Sequence, residues 1–400
     1  MEGHLFRAFR SRNYTLYFIG RAISQLGTWM QRTAVVWVVY SMTQSAFLVG
    51  VTIFAETFPS FLFSVFGGVA ADRYDRFTII KITQIASMVQ SILLAAAVYT
   101  GHAPIWAIIV LSVVLGIINA FDVPARQTLF HEVVADPADL PNALSLSTST
   151  ASLAQLLGPA LSGIVISVWS ASVCFLLNAV SFGGVLVSVL LMKLTLQVPK
   201  RTEKKMIADF ADGFAYLKRT PRIGRIILML AFISLLVLPY STVLPVFAKV
   251  VFKGDASTFG YITSFVGIGS FLGALFIASR RPGAHLRMIL LVSTVLLGVG
   301  LIFFSQVKVF SLALFFAVVA GFGSIAQFTV CNIIVQSESE PTIRGRTIGI
   351  LLMAVFGMLP LGSLLVGAVS EHIGAPATVL GEGVIGLVIA GIFSRRLIRG

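Results

Sequence analysis

Lys193 to Arg222 reads KLTLQVPKRTEKKMIADFADGFAYLKRTPR. It is the one long polar break in a chain of 400 residues that is 57% hydrophobic and 11% charged. Soluble domains carry about 25% charged residues, so this chain has too little polar surface for a water-soluble body. Low charge with high hydrophobicity also excludes wholesale disorder. Lipid is the solvent that suits it. A membrane-crossing helix takes about 20 predominantly apolar residues. Six such runs precede the break, near 13–40, 46–71, 78–100, 104–125, 142–168 and 172–192. Six follow it, near 223–250, 257–279, 287–306, 309–334, 346–370 and 376–394. They are too long for strands and lack the period-2 alternation of a membrane barrel. The reading is an all-α membrane protein with twelve transmembrane helices in two six-helix pseudo-symmetric halves, residues 1–192 and 223–400.

The break itself, residues 193–222, is read as a cytoplasmic linker, because about 30 residues cannot build a core. Ile207, Phe210, Phe214 and Leu217 stand at helical spacing, with Lys and Arg at both ends. That fits an amphipathic helix on the membrane surface; a plain solvated loop is the alternative. Arg7, Arg10 and Arg12 precede a first apolar run too long for the h-region of a signal peptide. The first span is therefore expected to stay as an anchor.

The chain carries 29 Lys+Arg against 16 Asp+Glu, a net charge of +13. With the N-terminus inside, 24 of the 29 bases fall in alternate, inward-facing breaks, which orients both termini to the cytoplasm. Eleven acids lie there too, so the inward segments hold the whole excess and the rest of the chain nets zero. The basic excess is a topology signal, and no nucleic-acid partner is expected. Cys174 and Cys331 both fall inside spans and read as small packing residues.

After the second span comes Gly67-Gly68-Val69-Ala70-Ala71-Asp72-Arg73-Tyr74-Asp75-Arg76. The spacing Gly68-x-x-x-Asp72-Arg73-x-x-Arg76 resembles motif A of the major facilitator superfamily, G-x-x-x-D-R/K-x-G-R-R/K. Asp75 stands where the family usually has Gly, and Phe77 replaces the last basic residue. The resemblance covers the whole chain: twelve spans, a six-plus-six split, a basic central loop and motif A between spans 2 and 3. It implies that Asp72 faces the N-terminus of span 11, near Arg344 and Arg346, as a gate. A carboxylate is stabilised at a helix N-terminus; a simple positive-inside turn is the other reading. Span 5 carries Ser145-x8-Ala154-x3-Gly158-Pro159-x2-Ser162-Gly163, similar to motif C of the antiporter branches, with three of its five glycines replaced. Small residues there permit close helix packing and the Pro a bend. Asn119-Ala120-Phe121-Asp122-x-Pro124-Ala125-Arg126-Gln127, Arg344-Gly345-Arg346 and Phe9-Arg10-x-x-Asn13-Tyr14 resemble the group of transmembrane secretion effectors, which includes siderophore exporters.

Ionisable groups inside spans are costly and usually face a cavity or a partner. Arg21, Gln25, Thr28 and Arg32 recur at i, i+4, i+7 and i+11 in span 1, one polar stripe on one helix face. The resemblance implies that span 1 lines the central cavity, and two arginines favour an anionic, partly polar substrate. Alternatively Arg21 and Arg32 snorkel to the two ends of the span. Glu56 lies about ten residues into span 2, before Pro59. Burial there favours the protonated acid unless Arg21 or Arg32 pairs with it. It is the first candidate for proton coupling, and Glu382, nearer the outer end of span 12, is the second. Asp122 and Arg126, one turn apart, read as an ion pair at the inner end of span 4. Ser145, Thr148, Ser152 and Gln155 form a second stripe, and Tyr240, Gln327 and Asn332 could line the opposite wall.

No Gly-x4-Gly-Lys-Ser/Thr occurs, so there is no sign of ATP as a power source. The five histidines show no ligand spacing, so no metal is expected. Nor is there a hydrolase elbow. The chain is expected to be a transporter and not an enzyme, without a cofactor, working as a monomer in the cytoplasmic membrane on a small-molecule substrate. Proton-driven export of an amphipathic siderophore-like or drug-like molecule by alternating access is the leading expectation. An ion-coupled importer and a non-transporting membrane sensor or scaffold are the competing ones.

Overall fold

A computed structural model of the chain describes residues 7–101, 103–134, 136–192, 206–280 and 285–398. Among them all regular structure is helical. The long helices are α1 (Arg12–Thr43), α2 (Ala46–Arg73), α3 (Arg76–Tyr99), α4 (Ile105–Val133), α5 (Leu140–Val168) and α6 (Ala171–Leu191). The linker supplies α7 (Met206–Arg219). Then come α8 (Pro221–Leu236), α9 (Ala256–Ala278), α10 (Leu286–Gln306), α11 (Phe310–Glu338), α12 (Arg344–Ile373) and α13 (Ala375–Ile398). Eleven of the twelve apolar runs have become one helix each, with ends shifted by a few residues, and the run near 223–250 is broken after Leu236. Among the unbroken helices the largest shift is in α4, which runs on to Val133 because Pro124 sits inside it without ending it.

Eleven helices among the described residues, counting Pro221–Val251 as one bent span, are long and apolar enough to cross a membrane. α1 is not among them, because Arg12, Arg21, Gln25, Gln31 and Arg32 dilute its apolar surface. Its 32 residues give about 48 Å of helix, ample for a core of about 30 Å. The bend in Pro221–Val251 has a chemical cause. α8 ends at Leu236, and a 3-10 turn, Leu238–Val243, and a π turn, Phe247–Val251, follow. Pro239 and Pro245 supply no N–H there, so the regular ladder cannot pass through.

The chain divides into two compact units, Met1–Val39 with Ala55–Thr202 and Tyr40–Phe54 with Glu203–Gly400. In the first, α3 packs on α4 and α6. Gly67 lies against the Ala120 carbonyl and Gly116 against that of Glu56, so a side chain at either would meet backbone. A core at one end of the unit gathers Tyr14, Ile80, Leu129 and Val133, and the Tyr14 hydroxyl donates to the Ala143 carbonyl at 3.0 Å. In the second unit α10 packs on α11 and α13, and α9 on α11. The second unit also contains the start of α2, where Glu371 of α12 accepts from the Ser45 hydroxyl and, at 3.3 Å, from the Phe47 N–H.

Asp75, the residue that departs from motif A, caps α3. Its carboxylate accepts from the backbone N–H of Phe77 at 3.2 Å and of Thr78 at 3.0 Å. Two donors that the helix start leaves unpaired are satisfied in this way. Asp75→Ala is expected to cost about 1 kcal/mol, read as a lower melting temperature of the purified protein. An unchanged melting temperature would show that water replaces the cap at no cost. The second unit has its counterpart in Asp255, which accepts from Ser257 and Thr258 at the start of α9. Hydrogen bonds, first that of the Ser257 side chain, hold its carboxyl below the usual carboxylate range.

α7 carries Phe214 on an exposed face and turns Gly213 toward Ile350 of α12. Asp212 pairs with Arg346 at 3.0 Å, and the Glu340 N–H donates to the Tyr216 hydroxyl at 3.3 Å. The helical spacing in the linker thus produced a helix, and its polar residues fasten it to the N-terminal end of α12. Ile207 and Phe210 lie in the part of α7 whose side chains are outside the described residues.

Candidate transport sites

The stripe on α1 resolves into two charge centres in the first unit. At one end, the Arg32 Nε donates to Glu56 Oε1 at 2.7 Å, and the guanidinium lies 5.6 Å from the Trp29 ring centroid. Glu56 therefore has the span 1 partner that the sequence left open, and that partner is Arg32. At the other end, Arg21 lies in a pocket with Tyr17, Phe18, Phe130, Ser147 and Thr150. No carboxylate among the described residues is within ion-pair distance of it. Between these centres the Thr28 hydroxyl is bonded to its own helix, at the Ser24 carbonyl (2.8 Å). The Gln25 side-chain oxygen is buried with no hydrogen-bond partner among the described residues.

Beside Arg21 stands the ion pair of α4. Arg126 binds Asp122, and Asp122 Oδ1 also accepts from Thr83 (2.8 Å) and Gln84 (2.9 Å) of α3. Asp122 is 1% exposed. A buried charge is tolerable when it is paired and its lone pairs are filled, and here three donors surround one carboxylate. Arg126 and Arg21 are close enough to repel, so the site holds a net positive charge. Sequence reasoning found the pair and missed Thr83 and Gln84, whose only signal was polarity in an apolar run.

The residues of motif A divide in this unit. Asp72 and Arg73 are exposed, Gly68 has open space around it, and Arg76 binds Glu132 of α4. The motif C segment packs on α1. Gly158 lies against Trp29, and the Ser162 hydroxyl donates to the Met30 carbonyl at 3.0 Å. Ala154, Pro159 and Gly163 are buried alongside. The second stripe is self-satisfied: the hydroxyls of Thr148 and Ser152 bond back to their own helix. Gln155 stays partly exposed. A third polar group went unread in the sequence. Gln31 binds Gln90 (3.1 Å), Ser91 (2.7 Å) and Asn178 (2.8 Å), which ties α1 to α3 and α6.

In the second unit Tyr240, Gln327 and Glu382 are all buried. Neither amide atom of Gln327 and neither carboxyl oxygen of Glu382 has a hydrogen-bond partner among the described residues. Asn332 accepts from Gln336 at 2.8 Å in a more exposed position. Arg344 is exposed, and Arg346 is held by Asp212. No group of three or more His, Cys, Asp or Glu among the described residues could hold a metal ion. Cys174 and Cys331 are buried free thiols.

A family model described as transmembrane secretion effector matches residues 5–398. The staphyloferrin A transporter of Staphylococcus aureus is 26% identical over 95% of both chains. The multidrug efflux pump Tap of Mycolicibacterium fortuitum is 24% identical over 86% of both. Among solved structures, a point mutant of the nucleoside transporter NupG superposes with a TM-score of 0.79 at 12% identity, covering 96% of this chain and 99% of that one. That likeness is one of fold.

Proposed function

The chain belongs to the transmembrane secretion effector family of major facilitator transporters, and from that premise we propose that it exports a small amphipathic molecule, siderophore-like or drug-like, against an inward proton gradient. It is a multi-pass membrane transporter and not an enzyme. The observation that carries export is the family match over residues 5–398, whose description names secretion. A relative that is a multidrug efflux pump supports it, as does the motif C segment packed on α1 through Gly158 and Ser162. The two six-helix halves read from the sequence, residues 1–192 and 223–400, are expected to rock around a midplane site. The protein is expected to need no cofactor, to work as a monomer and to keep both termini in the cytoplasm.

A second reading has one observation in its favour. If Glu56 took up a proton, Arg32 would lose its partner and gain affinity for an anion. Proton and anion would then load together, because linkage is reciprocal, and both would move in one direction. That is inward cotransport of an anion. Flux direction separates the two. Purified protein in vesicles of known orientation is given staphyloferrin A or the cationic dye ethidium, with and without a proton gradient. Export predicts movement from the cytoplasmic face, opposite to the proton gradient and faster with it. Movement along with the protons from the outer face would establish the cotransporter instead.

A further inference from the structure

Glu382 stands on α13 one residue before Gly383, where α13 crosses α10 at Gly298 so closely that each glycine faces the other's carbonyl. Its place is set by that crossing: Gly298 lies in the middle of α10, and Gly386, one turn further along α13, faces Gly298 and Val237. The side chain is 3% exposed. Neither carboxyl oxygen has a hydrogen-bond partner among the described residues. The helices packed on α13 are α10, α8 and α12, with the Leu238–Val243 turn. α10 carries no charge beyond Arg287, α8 none beyond Arg225, and α12 none between Arg346 and Glu371. On α13 itself the other charges are Arg395 and Arg396 near its end. The titratable group that faces Glu382 is Tyr240, 5% exposed and within electrostatic reach. An ionised carboxylate in this place would give up its hydration for no donor and no counter-charge; the neutral acid avoids that loss.

We propose that Glu382 is the proton-carrying group of this transporter, loaded when the second unit is packed as seen here. The inference rests on the proton-coupled export reading above. Glu56 is poorly suited to that work, because its proton and an anion on Arg32 would travel together. Glu382 holds no cation that its protonation would set free. A proton binds one carboxyl oxygen, and its departure leaves a carboxylate that needs water. Release thus requires that the packing around Glu382 open. The adjoining segment is already irregular: Tyr240 sits in the turn between Pro239 and Pro245, where the span has lost its regular helix. Loading and unloading a proton are in this way tied to two packings of the second unit.

The test uses the full-length protein in nanodiscs and the probe dicyclohexylcarbodiimide, which adds to protonated carboxyls in apolar surroundings. Mass spectrometry of the labelled peptides is expected to find Glu382 modified at about pH 6, above the ordinary glutamate range, and Glu56 unmodified. No label on Glu382 at that pH overturns the proposal without any variant having to fold. In vesicles, Glu382→Gln is expected to lose gradient-driven flux by about tenfold or more, while exchange of labelled for unlabelled substrate without a gradient continues. Glu382→Asp is expected to restore part of the coupling. Full gradient dependence in Glu382→Gln overturns this inference alone. A wild-type protein whose flux ignores the gradient overturns the coupling reading and this inference with it.

Discussion

Arg126→Met is expected to destabilise the first unit by about 3–5 kcal/mol. The variant leaves Asp122, 1% exposed, with hydrogen bonds from Thr83 and Gln84 but no positive charge on its own helix. The pair matters less for its own attraction than for what one partner becomes without the other. Pairing two buried charges costs desolvation that their attraction only roughly repays, whereas removing one strands the other. The double variant Asp122→Asn/Arg126→Met is therefore expected to recover most of the loss, because asparagine can still accept from Thr83 and Gln84. Thermal unfolding of the purified variants measures both. A double variant as unstable as the single one would mean that the pair contributes through packing of the arginine and not through its charge.

Glu56→Gln is expected to change substrate preference more than stability. Arg32 is 40% exposed and Glu56 14%, so their pair is partly solvated and its loss costs little, on the order of 1 kcal/mol. What changes is that Arg32 becomes a free cation on the α1 stripe. Binding of an anionic probe such as staphyloferrin A is expected to tighten by about tenfold, and binding of ethidium to weaken or stay the same. Arg32→Gln is expected to do the reverse for the anion. Equilibrium binding to the detergent-solubilised variants gives the answer. Equal effects on both probes would remove the pair from the substrate site.

The architecture was legible because its signal is long. Of twelve apolar runs of membrane length, split by one basic linker, eleven became single helices with ends close to those read from the sequence, and the one near 223–250 is broken where Pro239 and Pro245 fall. The α1 stripe was legible too, since spacing at i, i+4, i+7 and i+11 places side chains on one face whatever the tertiary fold. Partner choice was not. Arg21 and Arg32 are equivalent in the sequence, and only the packing of α2 decides that Arg32 meets Glu56. Surroundings were not legible either. Glu382 reads as nearer the outer end of its span, and only the packing shows that it stands beside the Gly298–Gly383 crossing with no hydrogen-bond partner among the described residues. Gln31, Gln90 and Asn178 are isolated polar letters in three separate runs, and their network exists only once α1, α3 and α6 are together. The linker spacing predicted a helix but could not show Asp212 on Arg346, a contact 134 residues apart in sequence.

Export by exchange against protons makes one demand that no other reading of the chain shares: the substrate must push protons the opposite way. Everted vesicles holding the full-length protein are made acid inside, with a quenched amine dye reporting the internal pH. Staphyloferrin A or ethidium is then added outside, at the face that was cytoplasmic. Proton-driven export predicts that the substrate enters, that internal protons leave as it does so, and that fluorescence recovers in proportion to uptake. Uptake with no recovery, or with further acidification, would contradict it.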